Sequence, residues 1–572
     1  MHVVATAGHV DHGKSTLVLT LTGIDPDRFA EEKSRGLTID LGFAWTTLPS
    51  GRELAFVDVP GHVRFLKNML AGVGAVDACL FVVAATEGWK PQTEEHLRIL
   101  ELLGVTSGVV AVTKVGLVDE EWLELAHLEL ADHLAGTFLE DAAVVDVDAP
   151  TGFGVDALRA SLDDLLAVTP TAVDQGRPRL WVDRSFAAKG SGTVVTGTLA
   201  GGSLSEGDEV LLLPGGRKAR VRALQSHKSA LGVAGPGRRL AVNLAGVHHE
   251  QVERGHAVVR NGQWEPSRRI DCALSVLAAL DHEVSRRGAY QVYLGSGEYP
   301  ARVRVLGAEA LKPGSRGLVR LHLPAPLPLL PGDHFVLRES GRGETVGGGE
   351  VLDVAPVLPA SRARPSVSVD RVVAERRWVD ADLLERITGE RRPAVVGRFV
   401  VDPAELAAMR GRVRAAVSGA GPLGLDVATL DERERAVLDG LDGVVVDAGR
   451  AVPADQATDP LAGHPYVAAL EASPFSPPPP EGVDRGELRE LVRRGLVVER
   501  EGVWFAPAAL AEAGQLIAGL LVAFPEGVTV AQVRDALGTT RKFLLPLLVQ
   551  LDATGVTRRR GDLRIGGPRL PG

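Results

Sequence analysis

Residues 8–16 read Gly-His-Val-Asp-His-Gly-Lys-Ser-Thr, so Gly8, Gly13, Lys14 and Ser15 satisfy the spacing GxxxxGK(S/T), with Asp11, His12 and Thr16 completing the loop. Backbone N–H groups in such a loop wrap a phosphate, the lysine adds a mobile positive charge, and the following helix start adds a partial one. Ser15 is placed to offer its hydroxyl to Mg²⁺. Further on, Asp58-Val59-Pro60-Gly61-His62 follows an apolar run. An aspartate there holds Mg²⁺ through water, and the Gly61 N–H reaches a γ-phosphate. Between the two motifs, Thr38 is a second candidate magnesium hydroxyl. His62, directly after the phosphate-facing glycine, is the candidate catalytic group that orients the attacking water. A segment tied to Mg²⁺ and γ-phosphate and released on hydrolysis is a switch. His9, Asp11 and His12 read as a metal cluster would lack a further ligand at suitable spacing.

These groups need a sheet to position them. Residues 1–170 alternate apolar strand-like runs (3–7, 54–58, 79–84, 108–113) with helical stretches such as 93–103, the rhythm of a mostly parallel sheet covered on both faces. From about residue 174 the texture turns to short β-rich segments and glycine turns. Two small β-barrels, 174–262 and 263–358, fit it. After the linker-like stretch 359–368, helical blocks alternate with hairpin-like ones, giving winged-helix modules over 366–510 and a terminal one over 511–572. The expected fold is therefore multidomain: an α/β P-loop domain for a nucleoside triphosphate, two or more small β-barrels and C-terminal winged-helix modules.

The chain has 572 residues, a formal charge of −10 and two cysteines without metal-ligand spacing, Cys79 and Cys272. This suits a reducing, cytoplasmic setting and argues against general coating of nucleic acid. No apolar run approaches the ~20 residues of a membrane span. The first strand begins almost at residue 1, so no signal peptide and no membrane partner are expected. Locally the balance reverses: residues 531–572 hold eight Lys/Arg against three Asp. Leu544, Leu547, Leu548 and Leu551 form one helical face. Arg541 and Lys542 fall at that helix's start, and Arg558, Arg559 and Arg560 open a hairpin turning at Gly561-Asp562. A helix start beside a basic wing is a compact phosphate-binding surface, for RNA or DNA alike.

GHVDHGKST, RGLTI, DVPGH and the following FLKNMLAGVGAVDACLFVVAATEGWKPQTEEHL resemble the translational GTPases of the elongation factor Tu group, most closely its selenocysteine-specific branch. The resemblance implies GTP and Mg²⁺, and Val10 and Leu37 as an apolar gate beside His62. In the first barrel it implies an aminoacyl pocket formed by Asp183, Arg184 and Arg239. A selenol is anionic at neutral pH, so paired arginines favour selenocysteine over serine. The second barrel is implied to grip tRNA, and the basic terminal module resembles one that holds an mRNA hairpin. The implied partners are selenocysteyl-tRNA, that hairpin and the ribosome, with the protein a monomer.

One segment departs from the family pattern. Where the group reads guanine with Asn-Lys-x-Asp, this chain has Thr113-Lys114-Val115-Gly116. Thr113 and Lys114 remain candidate base-side residues, but the carboxylate that accepts from guanine N1 and N2 is missing. Asp119 either supplies it or caps the helix beginning near Glu120. On the alignment alone, Gly116→Asp is expected to tighten GTP binding. Two further readings stand: a general tRNA-delivery or initiation GTPase, which leaves the basic tail without a role, and a nucleic-acid-binding regulator with a degenerate nucleotide domain.

Overall fold

A computed structural model describes all residues except 28–37, 39, 62–67, 70–75, 189–191, 422, 457–460, 462 and 572. His62 and Leu37 therefore lie outside the described residues. The chain divides into two compact units, Met1–Asp402 and Pro403–Gly572.

The first unit begins with a six-stranded sheet. Its strands are β1 (His2–Ala7), β2 (Gly42–Thr47), β3 (Glu53–Asp58), β4 (Ala78–Ala84), β5 (Gly108–Thr113) and β6 (Val144–Val147), in the order β2-β3-β1-β4-β5-β6. Only β2 runs antiparallel, against β3. β1, β4 and β5 are buried throughout, as their unbroken apolar runs demand for strands covered on both faces. Among the described residues, four helices pack around the sheet: α1 (Lys14–Thr22), α2 (Pro91–Leu102), α3 (Glu120–Leu134) and α4 (Val155–Val168). One face is built around Phe81, Leu97 and Leu100, the other around Leu17, Phe56 and Leu158. The strand order reverses at β1, so the C-terminal ends of β1, β3, β4 and β5 frame a crevice of the kind in which doubly wound sheets bind ligands.

Next comes a ring of six strands: Glu209–Leu213 pairs with Ala257–Arg260, and the ring runs on through Arg179–Trp181, Gly192–Ala200, Arg238–Ala245 and Arg217–Ser226, closing on Glu209–Leu213. The strand Arg184–Ala188 adds to Gly192–Ala200. A second closed barrel spans Ser267–Val276 to Glu344–Asp353. The helices Val369–Arg376 and Ala381–Thr388 bury Val372, Val373, Leu384 and Ile387 in that barrel's own core, so the division between the units falls inside the 366–510 stretch.

The second unit alternates helices with short hairpins. The strands Val498–Arg500 and Val503–Phe505 turn at Glu501-Gly502, both at positive φ (50° and 77°), which twists the two-residue turn to suit the strands. The last helix, Arg541–Thr554, buries Leu544, Leu547, Leu548 and Leu551. It is followed by a hairpin of Thr557–Arg560 and Leu563–Gly566. Among the described residues, no helix is long and apolar enough to cross a membrane.

Candidate functional site

The loop between β1 and α1 takes its shape from residues that tolerate positive φ: Gly8 (134°), Asp11 (64°) and Gly13 (84°). A side chain at Gly8 would place Cβ 2.1 Å from the Val82 carbonyl oxygen, so only glycine lets the loop leave β1 against β4. The Gly8 N–H donates to His96 Nδ1 (3.1 Å) at the core of α2. Lys14 lies buried with Nζ donating to the carbonyls of Gly8 (3.0 Å) and His9 (2.6 Å). Burial brings its ammonium down to about 8 against the pull of Asp58, Asp11 and Asp27. His12 is fully buried, with Nδ1 3.4 Å from Val82 O, and burial holds it down to about 4. The His12 side chain thus anchors the loop to β4. Asp11 in the loop and Thr16 in the first turn of α1 are exposed.

Three oxygen donors predicted from sequence converge at the start of α1. Ser15 Oγ donates to Asp58 Oδ2 (2.6 Å) and lies 2.7 Å from Thr38 Oγ1. Thr38 Oγ1 in turn donates to Asp27 Oδ1 (2.9 Å), a carboxylate the sequence reading did not single out. Asp58 is fully buried and accepts a further bond from Thr6 Oγ1 (2.7 Å); burial pushes its carboxyl up to about 6 against those two hydroxyls and Lys14. Gly61 packs so closely that a Cβ there would sit 2.6 Å from both Lys14 Nζ and Val10 N. A cradle of glycines around a buried lysine, beside two hydroxyls and two carboxylates, fits a triphosphate with a hard, oxygen-ligated cation.

At the base side, Thr113 Oγ1 donates to His12 O (2.7 Å), tying the end of β5 to the loop. Lys114 has left-handed backbone (φ 60°), and its Nζ lies 3.3 Å from Glu87 Oε1. Asp119 caps α3, accepting from the Trp122 N–H at 2.9 Å; this settles its local role as the cap.

In the first barrel, Arg184 and Arg239 stand on strands that flank Gly192–Ala200, opposite Thr196 and Thr198. Both guanidinium groups lie over the Phe43 ring, at 4.5 and 3.5 Å from its centroid. Arg239 also pairs with buried Asp183 (2.6 Å), which accepts from Thr196 Oγ1 (2.6 Å). The structure therefore brings together the three pocket residues named from sequence. Arg184 and Arg239 border a cavity of ≈ 260 Å³ whose other walls include Trp45 and His227, while Asp183 lies behind Arg239 and outside the lining. His227, stacked on Trp45 at 5.0 Å, was not legible in advance, because it reaches the pocket from a turn (φ 50°) distant in sequence from Trp45.

The pocket touches the nucleotide side directly. Asp40, next but one after Thr38, pairs with Arg184 Nε (3.4 Å) and Arg254 (2.8 Å). Arg184 also donates to the Leu41 carbonyl. Arg254 holds the Asp183 carbonyl (3.0 Å) and Asn68 Oδ1 (2.6 Å) as well.

In the second unit, Arg541, Lys542, Arg558, Arg559 and Arg560 are all exposed. The wing that carries three of them is fixed by Asp552, which accepts from Thr557 Oγ1 (2.6 Å) and pairs with buried Arg564 (3.0 Å).

A P-loop with paired hydroxyls, an Asp-x-x-Gly turn and two closed barrels behind it together define a GTPase of the translation-factor type. Comparison with known proteins narrows this. Residues 1–168 match the elongation factor Tu GTP-binding domain and 192–259 its domain 2. Residues 269–357 match the selenocysteine-specific elongation factor β-barrel domain, and 522–565 the elongation factor SelB winged helix. The selenocysteine-specific elongation factor of Desulfomicrobium baculatum is 42% identical over 351 residues, 61% of this chain and 55% of that protein. Elongation factor Tu 2 of Streptomyces avermitilis is 32% identical over 61% of this chain and 96% of its own. The crystal structure of a bacterial selenocysteine-specific elongation factor, EF-Sec, superposes with TM-score 0.70 at 28% identity, over 99% of both chains. The chain belongs to the elongation factor Tu family of translational GTPases, and its second barrel and last winged helix are similar to those of the selenocysteine-specific factor. It spans little more than half the length of the Desulfomicrobium relative.

Proposed function

We propose that this protein, in its GTP-bound form, carries selenocysteyl-tRNA to the ribosome at recoded UGA codons, held near the codon by an mRNA hairpin on its last winged helix. The observation that carries the reading is the contact between Asp40 and Arg184: the segment bearing the Thr38 hydroxyl also holds an arginine of the barrel pocket. Gly8, Asp11, His12, Gly13, Thr16 and Gly61 shape the phosphate cradle, with Lys14 as its charge and Thr113 and Lys114 at the base. Ser15 and Thr38 would hold Mg²⁺ directly and Asp58 through water. Bound Mg²⁺ neutralises charge on the triphosphate. His62 orients the attacking water once the ribosome opens the gate formed by Val10 and Leu37.

In the pocket, Arg184 and Arg239 present charge beside the apolar faces of Phe43 and Trp45. A selenolate adds a negative charge to this cationic pair, which a neutral serine hydroxyl cannot do. Arg541, Lys542 and Arg558–Arg560 form the RNA surface, and tethering raises the local concentration at one codon without high abundance. The protein acts as a cytoplasmic monomer. The test is protection of the aminoacyl ester from hydrolysis in the presence of GTP, comparing selenocysteyl- and seryl-tRNA on one tRNA body. Selective protection of the selenocysteyl form is expected, and equal protection of both overturns the reading.

A further inference from the structure

β5 and β6 run parallel with Thr113 opposite Val147, so Lys114 and Asp148 are the first residues past two neighbouring strand ends. This is the edge that Thr113 ties to the phosphate loop. Residues 113–116 carry no carboxylate, and Asp119 is engaged as a helix cap. Space at Gly116 is nevertheless filled by one. A Cβ built on Gly116 would lie 3.2 Å from Asp148 Oδ2 and 3.7 Å from Asp148 Oδ1. The Asp148 oxygens thus stand where an aspartate side chain at 116 would begin. They are held there: Thr151 Oγ1 donates to Oδ2 (2.6 Å), the Asp148 N–H donates to Phe153 O (3.0 Å), and the Gly152 N–H donates to Asp148 O (2.9 Å).

We propose that Asp148 is the residue that reads the guanine base, taking over from the end of β6 the task that residue 116 leaves vacant. This rests on the reading of the site as a GTP site. The chemistry fits: guanine presents two donors on one edge, N1–H and N2–H, and an ionised carboxylate is acceptor-only with two oxygens. Adenine offers a lone pair at N1 and no exocyclic donor at C2, so it meets the carboxylate with repulsion. Xanthine carries a carbonyl at C2 and is rejected on the same ground. One carboxylate is wanted and either position can supply it, but both together set like charges side by side. On this proposal the expectation drawn from the motif alone is reversed: Gly116→Asp in the otherwise unaltered chain weakens GTP binding.

The experiment is equilibrium binding of GTP, ATP and xanthosine triphosphate, with Mg²⁺, to the full chain. Asp148→Asn should lower GTP affinity by about a hundredfold or more, because two hydrogen bonds to a charged acceptor are lost at a base-selecting site. It should also bind xanthosine triphosphate better than GTP, since the amide N–H₂ now meets the C2 carbonyl. That gain cannot come from a misfolded chain. The reciprocal pair Gly116→Asp with Asp148→Ser should recover GTP binding lost in Asp148→Ser alone. Unaltered GTP preference in Asp148→Asn overturns the proposal and leaves the GTP reading standing, and so does a reciprocal pair as weak as Asp148→Ser. A wild-type protein that binds GTP no better than ATP overturns the GTP reading itself.

Discussion

His96 offers a test of how the phosphate loop is held. Its Nδ1 accepts the Gly8 N–H in a fully buried position, so the ring must be neutral with its proton on Nε2. Burial, then the charges of Lys14 and His9, hold its pKa down to about 3, against 6.5 for an ordinary histidine. A folded-state pKa below the unfolded one means that the unfolded chain binds the extra proton. The stability contribution is therefore complete above pH 6.5 and is lost as pH falls from there towards 3. At pH 5 the unfolded histidine is almost fully charged while the folded one stays neutral, which costs about 2 kcal/mol relative to pH 7. In His96→Gln the side-chain oxygen still accepts from Gly8 and nothing titrates. The variant should be less stable than wild type at pH 7, since a ring volume is lost. The gap between the two should then close by about 2 kcal/mol on going to pH 5, or about 4–8 °C in the melting of a domain of this size. The assay is thermal melting of both proteins without nucleotide across pH 5–7.5, with hydrogen exchange at the Gly8 amide as a local readout. A stability gap that stays constant with pH would refute a buried neutral His96.

Two further outcomes follow from charge. Replacing Arg558, Arg559 and Arg560 with Gln should weaken binding of an RNA hairpin and flatten its salt dependence by up to about three charges' worth of slope, measured by titration at several salt concentrations; an unaltered slope would move the RNA surface elsewhere. In the second barrel, buried Asp271 is held by Arg320 through two bonds of 2.6 and 2.8 Å, so Arg320→Met should cost about 3–5 kcal/mol in urea unfolding, whereas Asp271→Asn with Arg320→Met should recover much of it by removing the stranded charge.

The nucleotide residues were legible because their chemistry is local. Gly8, Gly13, Lys14 and Ser15 sit in one loop whose backbone makes the site, and fixed spacing is the signature of such a loop. Arg558–Arg560 were legible for a similar reason, since Gly561-Asp562 announces the turn beside them. His96, Asp27 and Asp148 were not. Each reaches the site from another element, and their positions follow from strand order and helix packing, which leave no trace in spacing. The stretch from Val369 to Val401 shows a different limit. Its apolar periodicity declares that the helices bury a face, and it does not declare that the partner is the second barrel, where Val372 and Leu384 go. Residues 113–116 hold no carboxylate, and the one proposed to serve instead lies one strand over.

The contacts around Asp40 join the nucleotide site to the cavity bordered by Arg184 and Arg239. Thr38 lies 2.7 Å from Ser15 Oγ, and Asp40 follows closely along the chain. Any rearrangement that draws Thr38 into a metal's coordination sphere must carry Asp40 with it. Asp40 is shared by Arg184 and Arg254, and Arg254 also grips Asn68 and the Asp183 carbonyl. Arg184 lies over the Phe43 ring, as does Arg239, which secures Asp183. Hydrogen bonds to charged groups contribute roughly 1.5–3 kcal/mol each. Exchanging one or two of them between states supplies the 1–3 kcal/mol that couples distant sites in switching proteins. The pocket arginines are thus engaged with Asp40, Leu41 and Asp183 in this structure. On the proposed function, an anionic ligand at Arg184 competes with these same contacts, which ties the pocket to the segment that carries Thr38.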